Sequence, residues 1–102
     1  MSPRANILIL GLHPNISAGV LELLRASGFD GDSVTTAEAA GKIAVTTHFD
    51  LLLMGGAIPF AEQDLALENM RRSLPDIQLR RNSPFDGKGP VDYVIEALGE
   101  LV

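Results

Sequence analysis

Two short unbroken apolar runs, each stopped by glycine, constrain the fold of this chain most strongly. Asn6-Ile7-Leu8-Ile9-Leu10 ends at Gly11, and Asp50-Leu51-Leu52-Leu53-Met54 ends at Gly55-Gly56. A strand that is apolar on both faces must be covered on both, as a central strand of a parallel sheet is. Ile7 to Leu10 is also the longest wholly apolar stretch near the start. It is far short of the roughly 20 residues of a membrane span, and it lacks the make-up of a secretory signal. The cytoplasm is therefore the expected compartment.

The segments between and after these runs are helical in pattern. Pro14 discourages helix at His13, and Asn15 is the expected N-cap of a first helix. Ile16, Val20, Leu23 and Leu24 recur on one face of it, and Gly28 ends it as a C′ glycine does. A short strand is expected over Ser33–Thr35. Thr35-x-x-Glu38 has the spacing of a capping box, with Thr36 as the alternative cap of a second helix. Ala39, Ala40, Ile43 and Ala44 form its small-residue face. Gly41, at a cost of about 1 kcal/mol against Ala, predicts that this helix is short or weak. A third helix is expected over Pro59–Leu74, with Leu65, Met70 and Leu74 as core positions and Pro75 as its stop. Asp76–Arg81 alternates like a half-exposed edge strand, and residues 82–90 are turn chemistry. A last helix carries Val91, Val94, Ile95, Leu98 and Leu101 on one face.

The order β-α-β-α-β-α-β-α implies an α/β domain, with a parallel sheet, right-handed crossovers and helices on both faces. At 102 residues, 1–102 is expected to be a single domain. In such sheets ligands sit beyond the carboxyl ends of the strands. Three loops should meet there: residues 11–15, 55–58 and 82–89.

Composition narrows the function. Thirteen acidic residues against eight basic ones give a net charge of -5, unsuited to nucleic acid or an anionic membrane. One Tyr and four Phe offer little surface for stacking bases. There is no Cys, hence no thiol nucleophile and no thiolate metal site.

Within the expected crevice, Gly11, Gly55, Gly56, Gly87 and Gly89 suit either tight strand-to-helix turns or close approach of backbone amides to an anion. No G-x-G-x-x-G or Walker pattern accompanies them. Five of the eight basic residues (Arg71, Arg72, Arg80, Arg81 and Lys88) fall within 71–88, beside only Asp76 and Asp86. They suit either a phosphate or an edge strand protected against pairing. His13 is either an anion contact or a loop residue bonded to its neighbours. His48, at a helix end, is favoured there by the dipole. Ser17 and Ser83 have no His–acid pairing, and Asp50 starts its strand at the end away from the crevice.

Ile7-Leu8-Ile9-Leu10 followed by a helix ending Leu23-Leu24-x-x-x-Gly28-Phe29 resembles the opening of a two-component response-regulator receiver domain. Ser33-Val34-Thr35-Thr36-Ala37 and Phe49-Asp50-Leu51-Leu52-Leu53-Met54 resemble its second and third strands. The likeness covers residues 6–56, about half of the chain. It implies a flavodoxin-like three-layer sandwich of about four strands in the order 2-1-3-4, with one βα unit of the usual five lost or degenerate. Receivers hold Mg²⁺ with an acidic pair after the first strand, where this chain has Gly11 and Leu12. They accept phosphate on an aspartate ending the third strand, where it has Gly55. The residues nearest the family's Ser/Thr and Lys are Asn82 or Ser83, and Lys88.

Phosphoryl transfer to a carboxylate needs that carboxylate and a divalent ion. The resemblance therefore implies a degenerate receiver: a signalling or protein-interaction domain with no catalytic residue, cofactor or metal. Its expected partner is another protein or a second copy, bound through the shortened side. The alternative is a small module binding an anion or nucleotide through Gly11, His13, Asn15, Gly55, Gly56, Arg80, Arg81, Ser83 and Lys88. An enzyme ranks last, for want of any acid–base or nucleophile constellation.

Overall fold

A computed structural model describes residues 5–55 and 58–82, with the backbone alone for residues 81 and 82. The elements are β1 (Asn6–Leu10), α1 (Pro14–Ala26), β2 (Asp30–Val34), α2 (Ala37–Thr46), β3 (Leu51–Gly55), α3 (Phe60–Arg71) and β4 (Gln78–Asn82). The strands form one parallel sheet in the order β2-β1-β3-β4. This is the flavodoxin-like sandwich expected from the sequence. The expected last helix and the 83–90 loop lie outside the described residues.

The two apolar runs become the two central strands, and their alternation divides the core. Ile7, Ile9, Leu51 and Leu53 face α1, where Leu21 and Leu24 meet them. Leu8, Leu10, Leu52 and Met54 face the other way, onto Ala37, Ala40 and Ala44 of α2 and Ala66 and Met70 of α3. Phe49, just before β3, is buried in that second layer.

Several local expectations need correcting. β2 starts three residues earlier than Ser33, because Asp30 donates its N–H to Ala5 and pairs with Asn6. α1 is capped by His13, not Asn15, since the His13 carbonyl accepts the N–H groups of Ile16 and Ser17 at 3.1 Å. Its buried face is Ser17, Leu21 and Leu24. Ile16 and Leu23, expected inside, are 65% and 52% exposed. Gly28 does follow the helix in the left-handed region, at φ 94°. Thr36 rather than Thr35 caps α2, its hydroxyl accepting the Ala39 N–H at 3.1 Å. The spacing from Thr35 to Glu38 is thus no capping box; Glu38 instead pairs with Lys42. α3 buries Gln63, Ala66 and Met70, and leaves Leu65 exposed. It ends at Arg71, so Leu74 follows the helix and packs against the core only in part.

Gly41 does not cut α2 short. A Cβ there would lie 2.8 Å from the Asn69 Cβ, so the missing side chain is what lets α2 and α3 approach. Asn69 adds a bond from its amide to the Ala37 carbonyl at 3.1 Å.

Among the described residues β2 pairs with β1 alone, and Gly31 on its outer edge is already bonded to local side chains. The Gly31 N–H is accepted by the Asp30 carboxylate at 2.9 Å. The Gly31 carbonyl is bonded by the Arg25 guanidinium at 3.2 Å. Local side chains thus occupy the Gly31 groups that another strand would use.

Candidate functional site

β1 and β3 are neighbours, with Leu10 in register with Met54. The Gly11 and Gly55 connections therefore leave the sheet side by side at its carboxyl end. Gly11 is tied to β2, donating its N–H to the Val34 carbonyl at 3.1 Å. On the other side, Gly55 is in register with Asn82 of β4.

Neither glycine is required by backbone conformation, because Gly28 is the only described residue with positive φ. What surrounds them differs. A Cβ on Gly55 would have the Leu10 carbonyl oxygen at 3.9 Å as its nearest neighbour, an ordinary contact. A Cβ on Gly11 would lie 2.7 Å from the Ser17 hydroxyl, well inside contact distance. Among the described residues, the end of β3 thus has space for a side chain and the end of β1 has the Ser17 hydroxyl in the way.

His13 and Asn15 are exposed at the start of α1, and His13 makes no side-chain cap bond. Arg80 is in register with Leu53, on the α1 side of the sheet, whereas Arg81 is in register with Met54, on the α2–α3 side. Arg71 and Arg72 stand at the C-terminal end of α3, the opposite end of the sheet from the crevice. Arg71 reaches back to the Ile77 carbonyl, and Arg72 lies 3.6 Å from Glu68. Gly56, Ser83 and Lys88 lie outside the described residues.

Asp50 lies at the amino end of β3, as expected. Its carboxylate accepts the Asn6 N–H at 2.8 Å and lies 3.3 Å from His48 Nε2. These contacts tie the starts of β1 and β3 together.

Sequence reasoning gave no role to three residues that shape the crevice. Ser17 is 4% exposed and lies against Gly11. Glu62, in the first turn of α3, accepts the Ala37 N–H at the start of α2 at 2.8 Å. Gln63 is 2% exposed; its amide donates to the Ile58 carbonyl at 2.7 Å, while its Oε1 has no partner among the described residues. A turn in which Ile58 donates to the Gly55 carbonyl at 3.3 Å completes this support. α3 thus fastens the loop after β3 and the start of α2 at once. The available signal was a polar residue standing in line with helical core positions, as Ser17 does with Leu21 and Leu24, and Gln63 with Ala66 and Met70.

No family model matches the sequence, and no curated protein matches it. The structure has clear counterparts. A CheY-like response-regulator receiver domain from Methanospirillum hungatei JF-1 is similar with a TM-score of 0.74 at 17% identity, over 97% of this chain and 94% of that one. The response regulator TrrA of Thermotoga maritima, seen with Mg²⁺ and beryllium fluoride, gives 0.69 at 18% identity, over 96% and 99%. The receiver domain of the sensor histidine kinase PA1611 of Pseudomonas aeruginosa gives 0.65 at 18%, over 93% and 80%. That last structure has magnesium coordinated in its active-site cleft. The fold of this chain is the receiver fold.

The residues of this crevice do not fit such an ion. Mg²⁺ is a hard cation that takes carboxylate and water oxygens in near-octahedral geometry. Gly11, Leu12 and Gly55 offer no carboxylate, and Leu12 is 48% exposed. Among the described residues, no group of three His, Asp or Glu side chains stands close enough to hold a metal.

Proposed function

We propose that this chain is a receiver-like domain of 1–102 that works by binding another protein and is not phosphorylated by the receiver mechanism. The observation that carries the proposal is Gly55 at the end of β3, beside Gly11 and Leu12 at the end of β1, within a receiver fold. Aspartyl phosphorylation requires a carboxylate nucleophile and a cation against the transferred group. This crevice supplies neither from those positions. TrrA, of the same fold, has been seen in complex with the histidine kinase ThkA, which supports a protein as the partner here. A second copy is the other partner we assign, and the cytoplasm the compartment. We ascribe no enzymatic activity to the chain.

Reaction with acetyl phosphate and Mg²⁺, followed by intact mass, tests the proposal. The expected result is an unchanged mass. A phosphoryl adduct stable at neutral pH and released by hydroxylamine contradicts it.

A further inference from the structure

We propose that Ser17 is the residue that closes the position where a receiver of this fold would carry its first metal-binding carboxylate. The inference rests on the reading of this crevice as one that does not take up a phosphoryl group. It adds a cause within the fold to the missing acids.

A glycine at the end of β1 has two possible origins. The backbone can demand it, or a neighbour can leave no room for a side chain. Gly11 does not have positive φ, so the first is excluded. The second is met by Ser17, whose hydroxyl would lie 2.7 Å from a Cβ at position 11. Real Cβ atoms essentially never come within 3.0 Å of such a neighbour.

Ser17 could make room only by turning its hydroxyl about χ1. It is 4% exposed, and its backbone is fixed in the first turns of α1 by the bond from its N–H to the His13 carbonyl. Its hydroxyl and any side chain at 11 therefore compete for one space. Among the described residues the position at the end of β3 has no such guard, since a Cβ on Gly55 meets none of them nearer than 3.9 Å. Among the described residues the crevice is thus crowded at the end of β1 and uncrowded at the end of β3. Against the described residues a Cβ at position 55 makes only an ordinary contact, while one at position 11 would have to turn the Ser17 hydroxyl aside.

The test compares two variants. One carries Gly11→Asp, Leu12→Asp and Gly55→Asp with Ser17 retained; the other carries the same changes plus Ser17→Ala. Each is titrated with Mg²⁺ alone by calorimetry. The expected result is at least tenfold tighter Mg²⁺ binding when Ser17 is replaced. Equal behaviour of the two, including no binding by either, overturns the inference. If the multiple variants do not fold, Gly11→Ala decides in the parent and in Ser17→Ala. The inference expects a clear fall in Tm in the parent and a much smaller one without the Ser17 hydroxyl. Equal losses overturn it. Failure of the underlying reading is seen separately, as phosphorylation of the unmodified chain.

Discussion

Glycines in this chain do different work at positions that look alike in sequence. Gly19 and Gly41 both sit inside helices, where glycine costs about 1 kcal/mol against alanine. A Cβ on Gly19 meets nothing within 4 Å, so Gly19→Ala should stabilise the fold by about 0.5–1 kcal/mol. Gly41 faces Asn69 at 2.8 Å, and the obstructing atom is a Cβ that cannot swing aside. Overpacking of this kind costs typically about 1–3 kcal/mol, more than the gain in propensity. Gly41→Ala should therefore destabilise. Urea denaturation of the two variants should move the midpoint in opposite directions. Thr36→Ala, which removes the hydroxyl that accepts the Ala39 N–H, should cost about 1 kcal/mol in the same assay.

At the level of elements, legibility followed the strength of the hydrophobic pattern. β1 and β3 were plain because their apolar runs are continuous, and the turn residue Gly28 marked the end of α1. β2 was harder to place. Asp-Gly-Asp-Ser-Val has no apolar alternation, and its strand form comes from pairing with β1 and from the Asp30 and Arg25 bonds at its edge. The core face of α1 was misplaced by about one residue, because Ile16 and Leu23 are apolar and exposed while Ser17 is polar and buried. The same confusion gave Leu65 to the core of α3 in place of Gln63 and Ala66. Such residues pack by their place in the fold, which a single sequence does not print. Two neighbours on α1 test the face. Leu21→Ala should cost about 2–5 kcal/mol, the range for a buried leucine, and Leu23→Ala within about 0.5 kcal/mol of nothing. Similar losses at both would mean that the helix is rotated from the orientation described. For β2, the double change Arg25→Ala with Asp30→Ala frees the Gly31 edge. Light scattering on concentrating that variant should rise above that of the parent chain.

Across the whole molecule, the sequence carried the fold through its order of elements, and the strand order 2-1-3-4 followed from the family resemblance. It also disclosed the missing acids, because Gly11, Leu12 and Gly55 fall at strand ends that the apolar runs mark clearly. The steric closure by Ser17 was not legible, since it depends on a distance between a loop and a helix. At the carboxyl end of this sheet Gly11, Leu12 and Gly55 carry no carboxylate, and Glu62 and Gln63 fasten the neighbouring segments. The most direct measurement is a ¹H–¹⁵N spectrum of the unmodified chain, recorded before and after adding Mg²⁺ with beryllium fluoride, which mimics the phosphorylated receiver. The account predicts that the amide signals of Gly11, Gly55 and Ile58 stay where they are. Saturable shifts of those signals would show a working phosphoryl site, and would contradict it.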